Sequence, residues 1–175
     1  MKHERSHLED QLLVMDAQDG KAEALETLVQ RWQRRLWRHA VRLTGSQQAA
    51  WDITQSAWYD IIRRLRRLHD PAAFCAWAYR ITTCKAMDWI RQQQRTRMAG
   101  PDSLDALAAA AKPETGVDEL LKLLDIDKRT VLYLYYFERL TVSEIGQALN
   151  IPAGTVKSRL HAARRDLKEL WESNR

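Results

Sequence analysis

The segment Leu140-Thr-Val-Ser-Glu-Ile-Gly-Gln-Ala-Leu-Asn-Ile-Pro-Ala-Gly-Thr-Val-Lys-Ser-Arg-Leu-His-Ala-Ala-Arg-Arg165 contains two helical patterns separated by a turn. Thr141 and Glu144 have the spacing of a capping box, which predicts that a helix begins at Val142. Asn150-Ile-Pro152 ends this helix, because proline has no N–H to donate and disfavours helical backbone in the residue before it. A second helix is predicted to follow the turn.

The second helix has one apolar face and one basic face. Val156, Leu160, Ala163 and Leu167 recur at helical spacing and are predicted to be buried. The open side then carries Thr155, Lys157, Ser158, Arg159, His161, Arg164 and Arg165. Such a helix suits the major groove of DNA, where lysine and arginine reach guanine edges or phosphates. The alternative is a solvated basic helix on a small helical bundle.

The charge balance favours a polyanionic partner. The 175 residues carry a formal net charge of +5, and residues 153–168 hold five Lys or Arg against the single acid Asp166.

The two cysteines, Cys75 and Cys84, fit a reducing compartment. No apolar run approaches 18 residues and no signal-peptide pattern is present, so we expect a cytoplasmic protein without stable membrane insertion.

The remaining pattern is helical, which predicts an all-α fold. A leading helix is expected to be capped by Ser6 with Glu9 and to carry the apolar residues Leu8, Leu12 and Met15. A second helix ends at Gly45, and a third opens at Ser46 or Gln47. A long helix runs from Ala72 to about Arg95, and Val131–Phe137 is read as a buried helix.

The chain divides into two small helical domains. Residues 1–95 form the first and residues 116–175 the second. Between them, residues 96–115 combine Gly, Pro, Ser and an alanine run, which is typical of a flexible linker.

A second surface for nucleic acid is predicted on the long helix of the first domain. Arg80, Lys85 and Arg91 interleave there with aromatic residues, of which Tyr79 and Trp89 are candidate stacking rings. Cations and rings together suit single-stranded DNA. Trp77 is expected to be core. The four arginines at 63, 64, 66 and 67 are either a solvated face or a contact to the DNA backbone.

No pattern indicates catalysis. The sequence has no glycine-rich phosphate loop, no Cys/His metal spacing and no paired-carboxylate motif. We therefore expect no enzyme activity, no metal and no cofactor.

Two stretches resemble a bacterial RNA polymerase sigma factor of the extracytoplasmic-function type. Ala50-Trp-Asp-Ile-Thr-Gln55, Phe74-Cys-Ala-Trp-Ala-Tyr-Arg-Ile81 and Asp88-Trp-Ile-Arg91 are similar to the second region of that family. Leu120 through Leu170, above all Ile151 through Arg165, is similar to its fourth region. The resemblance implies two helical domains joined by a flexible linker, the fourth region containing a helix-turn-helix.

The resemblance also implies partners and roles in transcription initiation. Asp52 and Gln55 would contact the beta-prime clamp helices of core RNA polymerase, whose beta flap is a further expected partner. The loop at 66–73 and the helix at 74–91, with Arg80, Cys84, Lys85 and Arg91, would engage and melt the minus-ten promoter element. The helix at 153–165 would read the minus-thirty-five element. Members of this family are commonly held by an anti-sigma factor.

Three positions depart from the family pattern. Trp51 and Ser56 stand where acids are usual, and Cys84 stands where asparagine is usual. A different class remains open, a helix-turn-helix regulator that binds duplex DNA independently of the polymerase. Such a regulator does not need the second basic, aromatic surface at 72–97. A protein-binding adaptor is a third class, against which the cations at 157–168 argue.

Overall fold

The computed structural model describes residues 2–99 and 116–173, and within these ranges every regular element is helical. The all-α prediction is therefore confirmed. The N-terminal module contains α1 (Lys2–Gln18), α2 (Ala22–Thr44), α3 (Gln47–Arg64) and α4 (Phe74–Ala99). The C-terminal module contains α5 (Gly116–Leu123), α6 (Ile126–Leu132), a π-helical turn (Tyr133–Phe137), α7 (Val142–Leu149) and α8 (Ala153–Ser173).

Aromatic side chains fill the core of the N-terminal module. The Trp32 ring meets Phe74 and Tyr79 edge-on, with centroid distances of 5.3 and 5.8 Å. His39 is fully buried beside them, and its Nε2 lies 2.8 Å from Thr83 Oγ1. Burial, with a smaller effect of the nearby Arg42 charge, lowers the pKa of His39 to about 3. The imidazole is thus a neutral core group that ties α2 to α4.

Local sequence signals set most helix ends in this module. Gly45 ends α2 with a φ of 71°, a left-handed conformation that glycine adopts without a steric penalty. Ser46 caps α3 by accepting a hydrogen bond from the Ala49 N–H. The predicted start of the first helix was wrong: α1 begins at Lys2, so Ser6 lies inside the helix and does not cap it.

The apolar stripe predicted for α1 points away from the core. Leu8, Leu12 and Met15 are all more than half exposed, whereas Val14 on the same helix is fully buried. The helix packs instead on α2 and on the turn at Pro71–Ala73 through the Val14 side. Helical spacing alone predicted the helix correctly but not the direction of its apolar face.

The helix-turn-helix prediction is confirmed in detail. Thr141 and Glu144 form the reciprocal capping box, and α7 ends at Leu149 with Asn150 in the left-handed conformation. Gly146 makes the turn possible, because a Cβ at this position would lie 2.9 Å from the Ile151 carbonyl oxygen. Val156, Leu160 and Ala163 are buried as predicted, and Leu167 is partly buried.

The two modules contact each other. Helix α7 packs on α4, and α6 lies against the end of α2, where an Arg129 guanidinium N–H donates to the Leu43 carbonyl at 3.1 Å. Glu138, which follows the π-helical turn, pairs with Arg42 of α2 at 2.8 Å. Helix α4 continues to Ala99, into the range 96–115 predicted as a linker, and the rest of that range lies outside the described residues.

Candidate nucleic-acid and protein interfaces

Helix α8 presents four of its seven predicted DNA-contacting residues on one open arc. At 100° per residue, Lys157, Ser158, His161 and Arg165 point in neighbouring directions, opposite the buried side that contains Val156 and Leu160. All four are exposed. The arc begins in the first turns of the helix, which is where a recognition helix contacts base edges.

The other three predicted residues lie on the flanks of this arc. Arg159 is half-buried and pairs with Asp127 of α6 at 2.7 Å. On the opposite flank, Arg164 Nε donates to the Tyr136 hydroxyl at 2.9 Å. Thr155 lies near Arg159 and its carbonyl accepts a hydrogen bond from the Ser158 hydroxyl. The module therefore fixes the direction of two arginines before any DNA binds.

Helix α4 brings three of the four predicted minus-ten residues to one face. Arg80, Cys84 and Arg91 lie within about 40° of each other around the helix axis, and all three are exposed. Arg91 pairs with Asp88 at 3.0 Å on the same surface. Lys85 points elsewhere, toward α3, where it pairs with Asp60 and donates to the Ser56 hydroxyl, each at 2.8 Å.

The aromatic ring on this face differs from the ones predicted. Tyr79 is fully buried in the core, and Trp89 lies on the side of α4 opposite Arg80. The half-buried Trp77 is within about 60° of Arg80 and packs on Phe74 at a centroid distance of 6.3 Å. Trp77, which we expected to be core, is thus the ring available to this surface.

The loop before α4 is held in place by one glutamine of α1. Gln18 Nε2 donates to the carbonyls of Leu65 and Leu68, at 2.9 and 2.7 Å. Arg66 and Arg67 between these anchors are exposed. The loop predicted at 66–73 therefore has a defined shape beside the start of α4.

Helix α3 carries an exposed face with apolar residues. Trp51, Tyr59 and Ile62 are 42%, 60% and 45% exposed, and they lie in a row that includes Gln55. Asp52 is exposed at the edge of the row. The structure thus places the two predicted polymerase-contacting residues on a partly apolar helix face. The i, i+4, i+8, i+11 spacing of the row is the sequence signal that places Tyr59 and Ile62 on this face.

The C-terminal module contains an apolar groove of about 470 Å³. Helices α5 and α8 and the π-helical turn line it, through residues that include Leu120, Tyr136, Phe137, Leu167 and Trp171. Trp171 is 51% exposed at one side, and the aliphatic part of Arg164 borders the groove. The sequence alone does not reveal this groove, because its walls come from segments that are far apart in the chain.

Metal sites and membrane-spanning helices are both absent from the residues that the structure describes. Across residues 2–99 and 116–173, no group of three or more His, Cys, Asp or Glu side chains has a geometry that would hold a metal ion. In the same ranges, no helix combines the length and apolar character that a membrane-spanning segment requires.

Comparison with protein families assigns the two modules. The model for Sigma-70 region 2 matches residues 28–96, and the model for Sigma-70, region 4 matches residues 120–169. The region 2 match contains α3 and most of α4, and the region 4 match contains the helix-turn-helix.

Individual relatives agree with this assignment. The ECF RNA polymerase sigma factor SigE of Mycolicibacterium smegmatis is 34% identical over 155 residues, which cover 82% of this chain and 60% of the relative. SigW of Bacillus subtilis, another ECF RNA polymerase sigma factor, is 29% identical, with 89% of this chain and 93% of the relative covered.

Two solved structures share the fold. CnrH, solved in complex with the cytosolic domain of CnrY, superposes with a TM-score of 0.75 at 24% identity, covering 95% of this chain and 99% of that one. The sigma factor RpoE of Bartonella quintana, solved with the anti-sigma factor NepR, gives a TM-score of 0.70 at 17% identity, covering 86% and 98%. The helices of this chain are therefore arranged as in these two solved structures.

Proposed function

Because this chain belongs to the sigma-70 family of RNA polymerase sigma factors, in its extracytoplasmic-function group, we propose that it binds core RNA polymerase, recognises promoter DNA and promotes melting at transcription initiation. The observation that carries the proposal is the presence of two separate helices with exposed basic faces, α4 and α8, beside the exposed face of α3.

The polymerase would bind two surfaces. The α3 face, with Asp52, Gln55, Trp51 and Tyr59, is proposed to dock on the beta-prime clamp helices. Exposed apolar residues interspersed with polar ones are typical of such a protein interface. The groove lined by Phe137 and Trp171 is proposed to receive an apolar segment of the beta flap, since its walls are mostly apolar and cations border its rim.

Promoter DNA would bind the other two surfaces. Helix α8 is proposed to enter the major groove at the minus-thirty-five element, with the open arc toward the bases and Arg159 and Arg164 toward the phosphates on either side. The α4 face with Arg80, Cys84 and Arg91 is proposed to hold the separated strand of the minus-ten element. There Trp77 offers a stacking surface and the cations meet phosphates.

The proposed function also implies where in the cell the protein acts and whether it catalyses a reaction. Core polymerase and promoter DNA lie in the bacterial cytoplasm, so we place the protein there. The chain would act by binding and would have no catalytic activity of its own, no cofactor and no metal. Sensing of a signal would then fall to a partner, and we propose an anti-sigma factor that covers the polymerase-binding surfaces.

The proposed function is tested by the double variant Asp52→Ala with Gln55→Ala in the full-length chain. It should weaken binding to purified core polymerase while circular dichroism stays unchanged, because both residues are exposed. Leu12→Ala on α1 is a matched control, since it also changes an exposed side chain of the N-terminal module. If the double variant binds core polymerase with wild-type affinity, the α3 face is not the docking surface.

The rival function, a helix-turn-helix regulator acting without polymerase, predicts a different result. Such a protein would bind one promoter duplex tightly by itself and would not change that binding when core polymerase is added. The sigma assignment predicts that tight, sequence-specific promoter binding requires core polymerase.

The anti-sigma partner is tested separately. A protein that co-purifies with this chain from the native host should block binding of the chain to core polymerase when it is added back in purified form.

A further inference from the structure

Helix α1 lies outside the range that the region 2 model matches. That match begins at residue 28, whereas α1 ends at Gln18, so the family assignment gives this helix no role. The end of α1 nevertheless contacts the loop that lies beside the start of α4. The exposed face of α4 is proposed to hold the minus-ten strand, so α1 has a direct connection to the border of that surface.

Helix α1 is held firmly on the rest of the N-terminal module. Val14 is fully buried in the core. The Asp10 carboxylate pairs with Arg31 of α2 at 3.0 Å, and the Asp10 side chain is only 9% exposed. Gln18 lies one helical turn beyond Val14 on the same face of α1. Packing of the whole helix therefore fixes the place from which the Gln18 side chain extends.

The amide of Gln18 closes the turn at residues 65–68. Its Nε2 carries two hydrogens and donates to two carbonyls, that of Leu65 at 2.9 Å and that of Leu68 at 2.7 Å. The Leu68 N–H also donates to the Leu65 carbonyl, at 3.0 Å, and the Leu65 side chain is buried. Removal of the Gln18 amide would deprive both carbonyls of this partner and loosen the turn.

The first two arginines of the basic run at 63–67 interact with α3 itself. Arg63 stacks on the Tyr59 ring at 5.3 Å from the ring centroid, and it also donates to the Tyr59 hydroxyl at 3.2 Å. Arg64 lies 4.0 Å from an Asp60 carboxylate oxygen. Both cations thus have partners on the helix that carries them.

Arg66 and Arg67, at the centre of the turn, have different surroundings. Both are exposed, and neither forms an ion pair with a residue that the structure describes. Arg66 extends over the turn that follows α1, where its Nη2 lies 3.6 Å from the point at which a Cβ would stand on Gly20. Gly20 has a φ of 91°, a conformation that favours glycine. The end of α1 therefore holds the turn and also borders the Arg66 side chain.

Two unpaired guanidinium groups on a turn of fixed shape suit the phosphates of a nucleic-acid strand. A guanidinium can form two parallel hydrogen bonds to phosphate oxygens. A turn that is already closed in the free protein loses little conformational entropy on binding, so its cations bind more tightly than the same cations on a loose loop. The shape of the turn, and hence Gln18, should therefore influence the affinity for a strand that runs along α4.

We propose that Gln18 is a positioning residue for promoter binding, and that the turn it closes presents Arg66 and Arg67 to phosphates of the separated minus-ten strand. This inference rests on the proposed function. Gln18 itself touches no DNA and acts through the shape of the turn. Arg63 and Arg64 belong to the same basic run but take no part in this contact.

The first experiment removes two charges at either of two places in the same run. Holoenzyme is formed from purified core polymerase and the full-length chain, as wild type, as Arg66→Gln with Arg67→Gln, or as Arg63→Gln with Arg64→Gln. The probe is a fork-junction DNA in which the minus-thirty-five element is duplex and the minus-ten strand is single. We expect the Arg66, Arg67 variant to reduce the slope of log affinity against log salt by about 1.4, at about 0.7 for each phosphate contact on a single strand. The matched Arg63, Arg64 variant should keep the wild-type slope.

The second experiment tests positioning without a change of charge. Gln18→Met keeps nearly the length and volume of the side chain but cannot donate to the two carbonyls, and its circular dichroism should match wild type. We expect it to weaken fork-junction binding roughly three- to ten-fold and to reduce the salt slope. Added to Arg66→Gln with Arg67→Gln, it should have no further effect, because the cations it positions are absent. Gln11→Met changes a half-buried glutamine of the same helix and should leave binding at the wild-type level.

Three results would overturn the proposal. The Arg66, Arg67 variant could keep the wild-type slope, the Arg63, Arg64 variant could lose as much, or Gln18→Met could weaken binding equally with and without the two arginines. On DNA that lacks the single-stranded segment the differences should vanish, and a loss that persists there would overturn the assignment to the minus-ten strand. Failure of the proposed function has another signature, and the inference would fall with it: wild type would form no holoenzyme, or its holoenzyme would not bind the fork junction.

Discussion

Lys85 Nζ lies 2.8 Å from Asp60 Oδ2, so this cation of α4 is paired with α3 inside the N-terminal module. Hydrogen bonding and the charge of Lys85 lower the pKa of the Asp60 carboxyl, with smaller contributions from Arg64 and Arg63. Arg80, five residues earlier, is exposed. The two cations were predicted to share one role, but the structure assigns them different surroundings.

We therefore expect Arg80→Ala and Lys85→Ala to differ. In the holoenzyme, Arg80→Ala should reduce permanganate reactivity of thymines in the minus-ten region, because a cation is lost from the proposed single-strand surface. Lys85→Ala should have a smaller effect on opening and should alter packing of α3 on α4. If Lys85→Ala abolishes opening while Arg80→Ala leaves it at the wild-type level, the minus-ten surface lies on the α3 side of this helix.

The apolar residues of the α3 face should strengthen polymerase binding beyond Asp52 and Gln55. Trp51→Ala and Tyr59→Ala should each weaken core binding by about 1–2 kcal/mol, as expected for exposed aromatic side chains that become buried in an interface. Unfolding by urea should change little, because these rings are exposed in the free chain. Leu8→Ala, an equally exposed apolar change on α1, is expected to leave core affinity unchanged. Equal losses for all three would indicate a general effect on folding.

Residues on the arc and on the flanks of α8 should affect DNA binding in different ways. Arg159→Ala and Arg164→Ala should weaken holoenzyme binding to all minus-thirty-five sequences alike and reduce the salt dependence by about one counterion each. His161→Ala, on the open arc, should instead relax preference at one base pair, at a cost of about 1–3 kcal/mol. Lys122→Ala on α5 is the control for lost charge. If Arg159→Ala instead changes the preference at a single base pair, the side of α8 that carries Arg159 contacts base edges in the DNA major groove.

We expect the free energy of unfolding to depend on pH because of the buried His39. Its pKa is about 3 in the folded chain against 6.5 ordinarily, so the unfolded state takes up a proton first as the pH falls. Stability from this group is present above pH 6.5 and is lost toward pH 3, at about 1.4 kcal/mol per pH unit. His39→Gln, which cannot titrate, should reduce the slope of unfolding free energy against pH by about this amount between pH 4 and 6. Parallel curves for wild type and variant would contradict the buried, neutral imidazole.

Local signals in the sequence were sufficient for most of the secondary structure. The Thr141–Glu144 capping box, the Ser46 cap and Gly45 act through neighbouring backbone atoms, so their effects are readable from short spacing. The basic arc of α8 was predictable for the same reason. The direction of the Leu8, Leu12 and Met15 stripe was not, because it depends on which side of α1 meets α2.

The parts of the site that sequence did not reveal depend on distant residues. The pairing of Lys85 with Asp60, the burial of Tyr79 under its contact with Glu138 and the groove at Trp171 all join segments far apart in the chain. Tyr79 and Trp77 are only two positions apart, and helical rotation alone places one in the core and the other at the surface. An aromatic pattern cannot make that distinction until the neighbouring helices are known.

Run-off transcription with purified core polymerase, the full-length chain and a promoter selected from the native host shows whether this chain directs core RNA polymerase to a promoter. We expect specific transcripts that require the chain and that disappear when α8 carries Lys157→Ala with Arg165→Ala. Transcripts that are equally abundant without the chain, or no transcript from any promoter to which the chain with core binds specifically, would contradict it.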